Sequence, residues 1–284
     1  MSCHALHPPR VSATLVSMAM IEQSKRAVSR LSKTVVPAVG ATVKRTFSSL
    51  CDVLVPPVCL SCENHVSQQG MVCAECWSQL SFLERPWCAV MGTPFAYDLG
   101  EGAQSAYAIA YPPPYDKARA AVLYTDRARH MVQGLKFSDR TDLAPWMAQW
   151  MTRVGGEVFE DTSVLVPVPL HRVRLWQRRY NQSAELARHV SRLTGLSYQP
   201  DWLSRIRPTR QQVGLGRKER VRNVQGAFRV DDVQKMHLKG RHIVLVDDVF
   251  TTGATLEACT RALRRGGAVR VSCLTFARVA PGED

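Results

Sequence analysis

Two adjacent carboxylates, Asp247 and Asp248, close the run "HIVLVDD", and after Val249-Phe250 comes the hydroxyl-rich turn Thr251-Thr252-Gly253-Ala254-Thr255. At the carboxyl end of a buried parallel strand, side chains project into the crevice where α/β folds bind ligands. Successive strand residues alternate faces, so at least one of the two acids points into that crevice. Paired carboxylates suit two neighbouring hydroxyls, as on a ribose, or an Mg2+ held beside a polyphosphate. The turn leads into a helix, whose first backbone N–H groups, helped by Thr hydroxyls, make an anion nest for a phosphate. Gly253 permits a backbone geometry that a Cβ would obstruct. Together these residues describe a cradle for ribose 5-phosphate, with the hydroxyls on the acids and the phosphate in the turn. A Walker B strand also ends in acids, but no GxxxxGK[ST] accompanies it. A response-regulator acidic pocket would leave the TTGAT turn unexplained.

The second group with chemistry in it is a set of thiols. Cys59-x2-Cys62 is followed after ten residues by Cys73-x2-Cys76. Two such knuckles can give four thiolates to one tetrahedral Zn2+, as in zinc ribbons. Four protein ligands close the coordination sphere, so the expected role is structural: a module of about 40 residues buries too little surface to fold alone. Cys88 begins another knuckle in which Met91 stands where a partner cysteine belongs, and Met is a poor Zn2+ ligand. His65 reads as a loop residue, and Cys51 as core or a spare thiol.

The elements that must position these groups alternate in type. "TSVLVPVPL" (162–170) and "RHIVLVDD" (241–248) read as buried strands, and "AVRVSCLTFARV" (268–279) as another. "NQSAELARHVSRLTG" (181–195) puts Ala184, Leu186, Ala187, Val190 and Leu193 on one helical face, and "ATLEACTRALRRGG" (254–267) turns Leu256, Cys259, Ala262 and Leu263 inward. Continuous apolar strands alternating with helices predict an α/β fold with a mostly parallel, doubly wound sheet. No internal repeat is visible. Residues 1–49 are expected to be a disordered basic tail rich in Ser and Thr, 50–95 the zinc-ribbon module and 105–280 the α/β domain. The tail holds seven Lys or Arg and one acid, Glu22; it also resembles an organelle transit peptide, and Met18 and Met20 leave open a start further in.

The chain of 284 residues is 45% hydrophobic, so it can bury a sizeable core, and its formal net charge is +13. A basic surface favours phosphates, nucleic acid or anionic membrane without choosing among them. No apolar run is long enough for a membrane-spanning helix. An odd total of nine cysteines, six of them at positions 51 to 88, argues for a metal site in a reducing compartment, hence a cytoplasmic protein. Arginines gather in two stretches: Arg172, Arg174, Arg178 and Arg179, then Arg205, Arg207, Arg210, Arg217, Arg220 and Arg222 with Lys218. The second stretch, with Gly214 and Gly216 and little apolar periodicity, reads as a mobile loop. It suits closure over a pyrophosphate, a nucleic-acid backbone, or simply a solvated basic face.

"IVLVDDVFTTGAT" resembles the phosphoribosyl pyrophosphate (PRPP) motif of type I phosphoribosyltransferases. With "CDVLVPPVCLSC" and its second knuckle, "VPVPLHRVRLWQRRYNQSAELA" and "TRQQVGLGRKERVRNVQGAF", the chain is similar over about residues 50–279 to the ComF/GntX family of competence-associated proteins. The resemblance implies a type I phosphoribosyltransferase fold behind a zinc ribbon held by Cys59, Cys62, Cys73 and Cys76. It puts the ribose hydroxyls on Asp247 and Asp248 and the 5-phosphate in Thr251, Thr252, Gly253, Ala254 and Thr255. The pyrophosphate loop falls at Val166-Pro167-Val168-Pro169, beside "RRYNQ" (178–182), with Arg178, Arg179, Arg210, Arg217 and Arg220 as contacts for pyrophosphate or nucleic acid. Implied cofactors are structural Zn2+ and Mg2+ carried with PRPP. The family favours handling of single-stranded DNA during competence. The alternatives are a salvage phosphoribosyltransferase, in which Asp247 and Asp248 are the catalytic pair, and a non-catalytic zinc-stabilised interaction module. Relatives often carry further cysteine pairs, where this chain has Met91 and "GEGAQSAY" (100–107). No oligomeric state and no acceptor base are legible.

Overall fold

In the computed structural model, β1 (Lys117–Leu123), β2 (Val164–Pro167), β3 (Ser197–Tyr198), β6 (His242–Phe250) and β7 (Arg270–Arg278) form one sheet in the order β1-β7-β6-β2-β3. All its pairings are parallel. The structure describes residues 56–209 and 217–280. The expected tail, Cys51 and Arg210 lie outside them. Two further strands, β4 (Ser204–Arg205) and β5 (Phe228–Arg229), make a separate antiparallel ribbon.

Strand alternation divides the core in two. Val244 and Val246 of β6, with Leu274 and Phe276 of β7, face one layer: α3 (Asp126–Phe137), α4 (Leu143–Gly155) and α6 (Gln182–Thr194). Ile243 and Leu245, with Val271 and Cys273, face the other, where α9 (Ala254–Arg265) buries Leu256, Cys259, Ala262 and Leu263. The helices α7 (Arg217–Val224) and α8 (Asp232–Leu238) complete that side through Val224 and Leu238. The mostly parallel sheet with helices on both faces is the fold the apolar runs require, since a strand buried on both sides has no polar face to show. The remaining helices are α1 (Ala74–Ser78), α2 (Ala106–Ala110) and α5 (Arg172–Arg178).

Three expectations need correction. The acids do not end their strand: β6 runs on through Val249 and Phe250, which pair with Ala277 and Arg278 of β7. Leu193 is half exposed, because α6 is in its last turn there and the sheet beneath has ended at the two-residue β3. Part of the supposed basic loop is the helix α7, anchored by buried Val224 and packed along α9.

The cysteine segment shares the first core layer instead of standing apart. Leu60, Val72 and Leu80 join the cluster built by α3 and α4. Trp77 and Phe82 enter an aromatic group with Trp146 and Trp150, with Phe82 and Trp150 centroids 4.3 Å apart and Trp77 and Trp150 5.1 Å apart. Residues 81–83 also run antiparallel to β1: Leu83 N–H donates to Ala121 O and Leu123 N–H to Ser81 O. The outer edge of β1 is thereby paired, as an unpaired edge would invite another chain.

Candidate ligand site and metal centre

β2 ends at Pro167 beside Val246, so the carboxyl ends of β2 and β6 open together and the acids sit at that rim. The two acids find different partners. Asp248, buried, lies 3.0 Å from Lys136 Nζ in the last turn of α3. Asp247 Oδ1 accepts from Ser183 Oγ at 2.8 Å and from the Asp248 N–H at 3.0 Å. Asn181 fixes this end of α6: its Oδ1 caps the helix by accepting from Ser183 N–H, while its Nδ2 donates to Val168 O just past β2. Burial, and then the charge of Asp248, push Asp247 up to about 7; Ser183 and Lys136 only partly offset this. A carboxylate held so far from its ordinary 3.8 by its surroundings marks a place where a ligand or cation would be welcome.

The turn beyond β6 has the features an anion nest requires. Gly253 has φ +80° and is the N-cap of α9, with no side chain capping that helix. A Cβ at Gly253 would meet Phe250 Cζ at 2.9 Å. Thr252 Oγ1 is buried with no hydrogen-bond partner among the described residues. An uncapped twelve-residue helix presents its first N–H groups and positive dipole end at this turn. Gly253→Ala is expected to cost about 1–2 kcal/mol for the left-handed backbone alone. That corresponds to a Tm lower by about 2–4 °C per kcal/mol, read by differential scanning calorimetry.

Positive charge crowds the same rim. Arg174 Nη2 donates to Thr209 O at 3.4 Å, and Arg205 bonds the hydroxyl of that same threonine. Burial, then the neighbouring Arg178, lowers Arg174; burial, then Arg174, lowers Arg205, which also feels Asp247. Arg205 Nε is buried and has no hydrogen-bond partner among the described residues. A set of mutually repelling, partly desolvated guanidiniums is relieved by an anion. Arg178 is bound to Gln182 (3.1 Å) and lies 4.9 Å over the Phe137 ring, while Arg179 pairs with Asp139 at 2.9 Å. Arg217 and Arg220 are carried by α7 against α9, with Arg220 already engaged in a contact.

The four predicted zinc ligands converge. Their Sγ atoms all lie within 4.8 Å of one another, with Cys62 and Cys73 at 3.7 Å. Tetrahedral Zn–S bonds of about 2.3 Å require S–S separations of about 3.8 Å, so the set fits one Zn2+. Ser61 and Cys73 N–H groups donate to Cys59 Sγ and the Cys76 N–H to Cys73 Sγ, as metal-bound thiolates require. The described residues offer no other such cluster.

Comparison with known proteins matches these two centres to two family models. A double zinc ribbon domain covers residues 50–109 and a phosphoribosyl transferase domain residues 212–284. A DNA utilization protein YhgH of Salmonella typhi is 32% identical over 170 residues, spanning 57% of this chain and 73% of that protein. The chain belongs to the ComF/GntX family. The YhgH protein of Escherichia coli strain K12 is 29% identical over 78% of the chain and 97% of its own length. Competence protein F of Haemophilus influenzae is 27% identical over 78% and 96%.

In this ComF-family chain, sequence reasoning named the acids, the turn and the thiols but missed their keepers. Lys136 and Ser183 lie far from the motif in sequence, and nothing in "QGLKFS" or "NQSAE" sets them apart from any helix end. Arg174 and Arg205 were visible only as members of basic runs. The signal that singles them out is burial, which a linear reading lacks.

Proposed function

We propose that this ComF-family chain binds PRPP with Mg2+ at the β6 rim and handles single-stranded DNA during competence in the cytoplasm. The observation that carries the reading is the pairing of two differently held acids with a left-handed, uncapped helix start at the same strand end. On this reading Asp247 and Asp248 take the ribose hydroxyls, Thr251–Thr255 backbone and hydroxyls take the 5-phosphate, and Arg174 and Arg205 join Arg178 at the pyrophosphate. Mg2+, when bound, would neutralise the pyrophosphate. A four-thiolate centre suits a reducing compartment, and no described helix is long and apolar enough to cross a membrane. Isothermal calorimetry with Mg-PRPP should give saturable heat; a flat titration would sink the reading. Release of pyrophosphate with any nucleobase would extend it to a working transferase.

Support for the nucleic-acid part comes from α5. In this helix only Arg174 and Arg178 are partly buried, and Trp176 is 85% exposed among Arg172, Arg174, Arg178 and Arg179. Phe137, 69% exposed, lies under Arg178 next to it. Exposed rings among guanidiniums are the ingredients of a stacking platform for single-stranded bases. Trp176→Ala is expected to weaken single-stranded DNA binding about tenfold, with the salt slope unchanged because no phosphate contact is lost. Fluorescence anisotropy at several salt concentrations tests both, and unchanged affinity would remove Trp176 from the surface.

A further inference from the structure

Residues 87–110 repeat the zinc ribbon of residues 58–78 bond for bond, although the sequence shows no repeat. In the first copy, Val58 bridges His65, Cys59 N–H donates to Asn64 O, Glu63 N–H to Cys59 O, and Leu60 N–H to Met71 O. In the second, Trp87 bridges Pro94, Cys88 N–H donates to Thr93 O, Gly92 N–H to Cys88 O, and Ala89 N–H to Ala103 O. Glu63 and Gly92 both close their knuckles with left-handed backbones, at φ +63° and +64°. Cys59 Sγ accepts from the N–H of Cys73, and Cys88 Sγ accepts from that of Ser105, 14 and 17 residues on. Cys73 then caps α1 through the Cys76 N–H, as Ser105 caps α2 through the Ala108 N–H.

The superposed roles put Cys88, Met91, Ser105 and Ala108 where Cys59, Cys62, Cys73 and Cys76 stand. One thiol, one thioether, one hydroxyl and one methyl do not make a structural zinc site, which wants four thiolate or imidazole donors. The double ribbon that the family model describes therefore keeps its second fold without its second ligand set. Something else must hold a segment that folds elsewhere only on metal.

The holding contacts come from the sheet. Ala118 N–H, at the start of β1, donates to Val90 O at 2.7 Å. Arg119, 3% exposed, donates to Ala89 O at 3.0 Å, is held by Glu157 at 2.9 Å, and lies 5.1 Å over Trp87. Arg278, 4% exposed, donates to Met91 O and lies 4.9 Å over Phe250, the ring against which Gly253 packs. Gly92 approaches β1 so closely that a Cβ would stand 2.4 Å from Ala118 O. Val90 and Met91 pack on the core layer that holds Tyr115, Ala118 and Phe250.

We propose that the second ribbon is a metal-free copy of the first, fastened to β1 and β7 by Arg119 and Arg278 on its knuckle carbonyls in place of zinc. The ribbon pair then runs to Ala110, and its second knuckle braces the floor of the ligand turn through Arg278 and Phe250.

Elemental analysis of the purified full chain should find one zinc per chain. Cys59→Ser should remove it, and Cys88→Ser should leave it in place. Two zinc ions in the parent chain, or a loss of zinc on Cys88→Ser, would overturn the metal-free assignment. Met91→Cys, Ser105→Cys and Ala108→Cys together should raise the count to two. A triple variant with the parent's circular dichroism but still one zinc would overturn the equivalence of the positions. The fastening is tested separately by peptide-mapped alkylation of Cys88, which is fully buried. Arg119→Met with Arg278→Met should raise its labelling rate by tenfold or more with zinc retained. An unchanged rate would overturn the role of the arginines.

Discussion

Asp247→Asn with Asp248→Asn is expected to abolish Mg-PRPP binding, by about 100-fold or more, and Asp247→Asn alone should leave a chain that is more stable than its parent above neutral pH. The first half follows from charge. Hydrogen bonds from ligand hydroxyls to a carboxylate contribute about 1.5–3 kcal/mol each, and both acids are lost. The second half follows from what the fold does to Asp247. Its carboxyl titrates at 3.8 ordinarily and at about 7 in the fold. Between those values the native chain holds a proton that the unfolded chain has released. Stability therefore falls as pH rises from about 4 to about 7 and stays low above that, by up to about 1.4 kcal/mol for each pH unit between the two values. Asn carries no charge to desolvate and can still accept from Ser183 Oγ and the residue 248 N–H, the bonds Asp247 now makes. Asp247→Asn alone should thus flatten the fall of Tm between pH 5 and 8 in scanning calorimetry. A variant whose Tm falls over that range as steeply as the parent's would show that Asp247 is ionised throughout. Lys136→Met should move the curve the other way, because it removes a cation whose charge lowers Asp247.

Removing zinc from the Cys59, Cys62, Cys73, Cys76 set is expected to do more than melt a knuckle. Structural Zn2+ contributes about 10–16 kcal/mol to small thiolate modules at neutral pH. Here Leu60, Val72 and Leu80 share a core with α3 and α4, and residues 81–83 pair with the edge of β1. Arg140 adds a tie, donating to Glu63 at 2.8 Å from the loop before α4. Cys76→Ser, or a strong chelator, should therefore break up the Trp77, Trp146 and Trp150 group and expose Trp146 and Trp150, with a red-shifted emission spectrum, and lower the Tm of the whole described unit by more than 10 °C. A chelated chain that lost zinc with no change in tryptophan emission would mean that the ribbon hangs on the sheet without supporting it.

Much of this was legible in the residues. The two knuckles announced themselves because thiolate spacing is fixed by one tetrahedron, a constraint short enough to be written along the chain. The acids and the TTGAT turn were legible for the same reason: a strand end, a left-handed glycine and a helix start follow one another within about ten residues. The apolar runs likewise dictated a parallel sheet, since burial on both faces leaves a strand no polar positions.

Tertiary structure decided what those motifs touch. Ser183, Lys136, Arg174 and Arg205 reach the rim from separate elements, and their importance lies in burial and in field, neither of which any local spacing encodes. The second ribbon makes the point most clearly. Its likeness to the first is carried by backbone hydrogen bonds, which any residue can make, while three of the four side chains that would have betrayed it are gone. The sequence alone determined a pair of acids before a hydroxyl-rich turn, a zinc centre and a sheet class, because each depends on neighbours in the chain. Only the fold decided what raises Asp247 and what fastens the metal-free knuckle, because both depend on groups brought together across it.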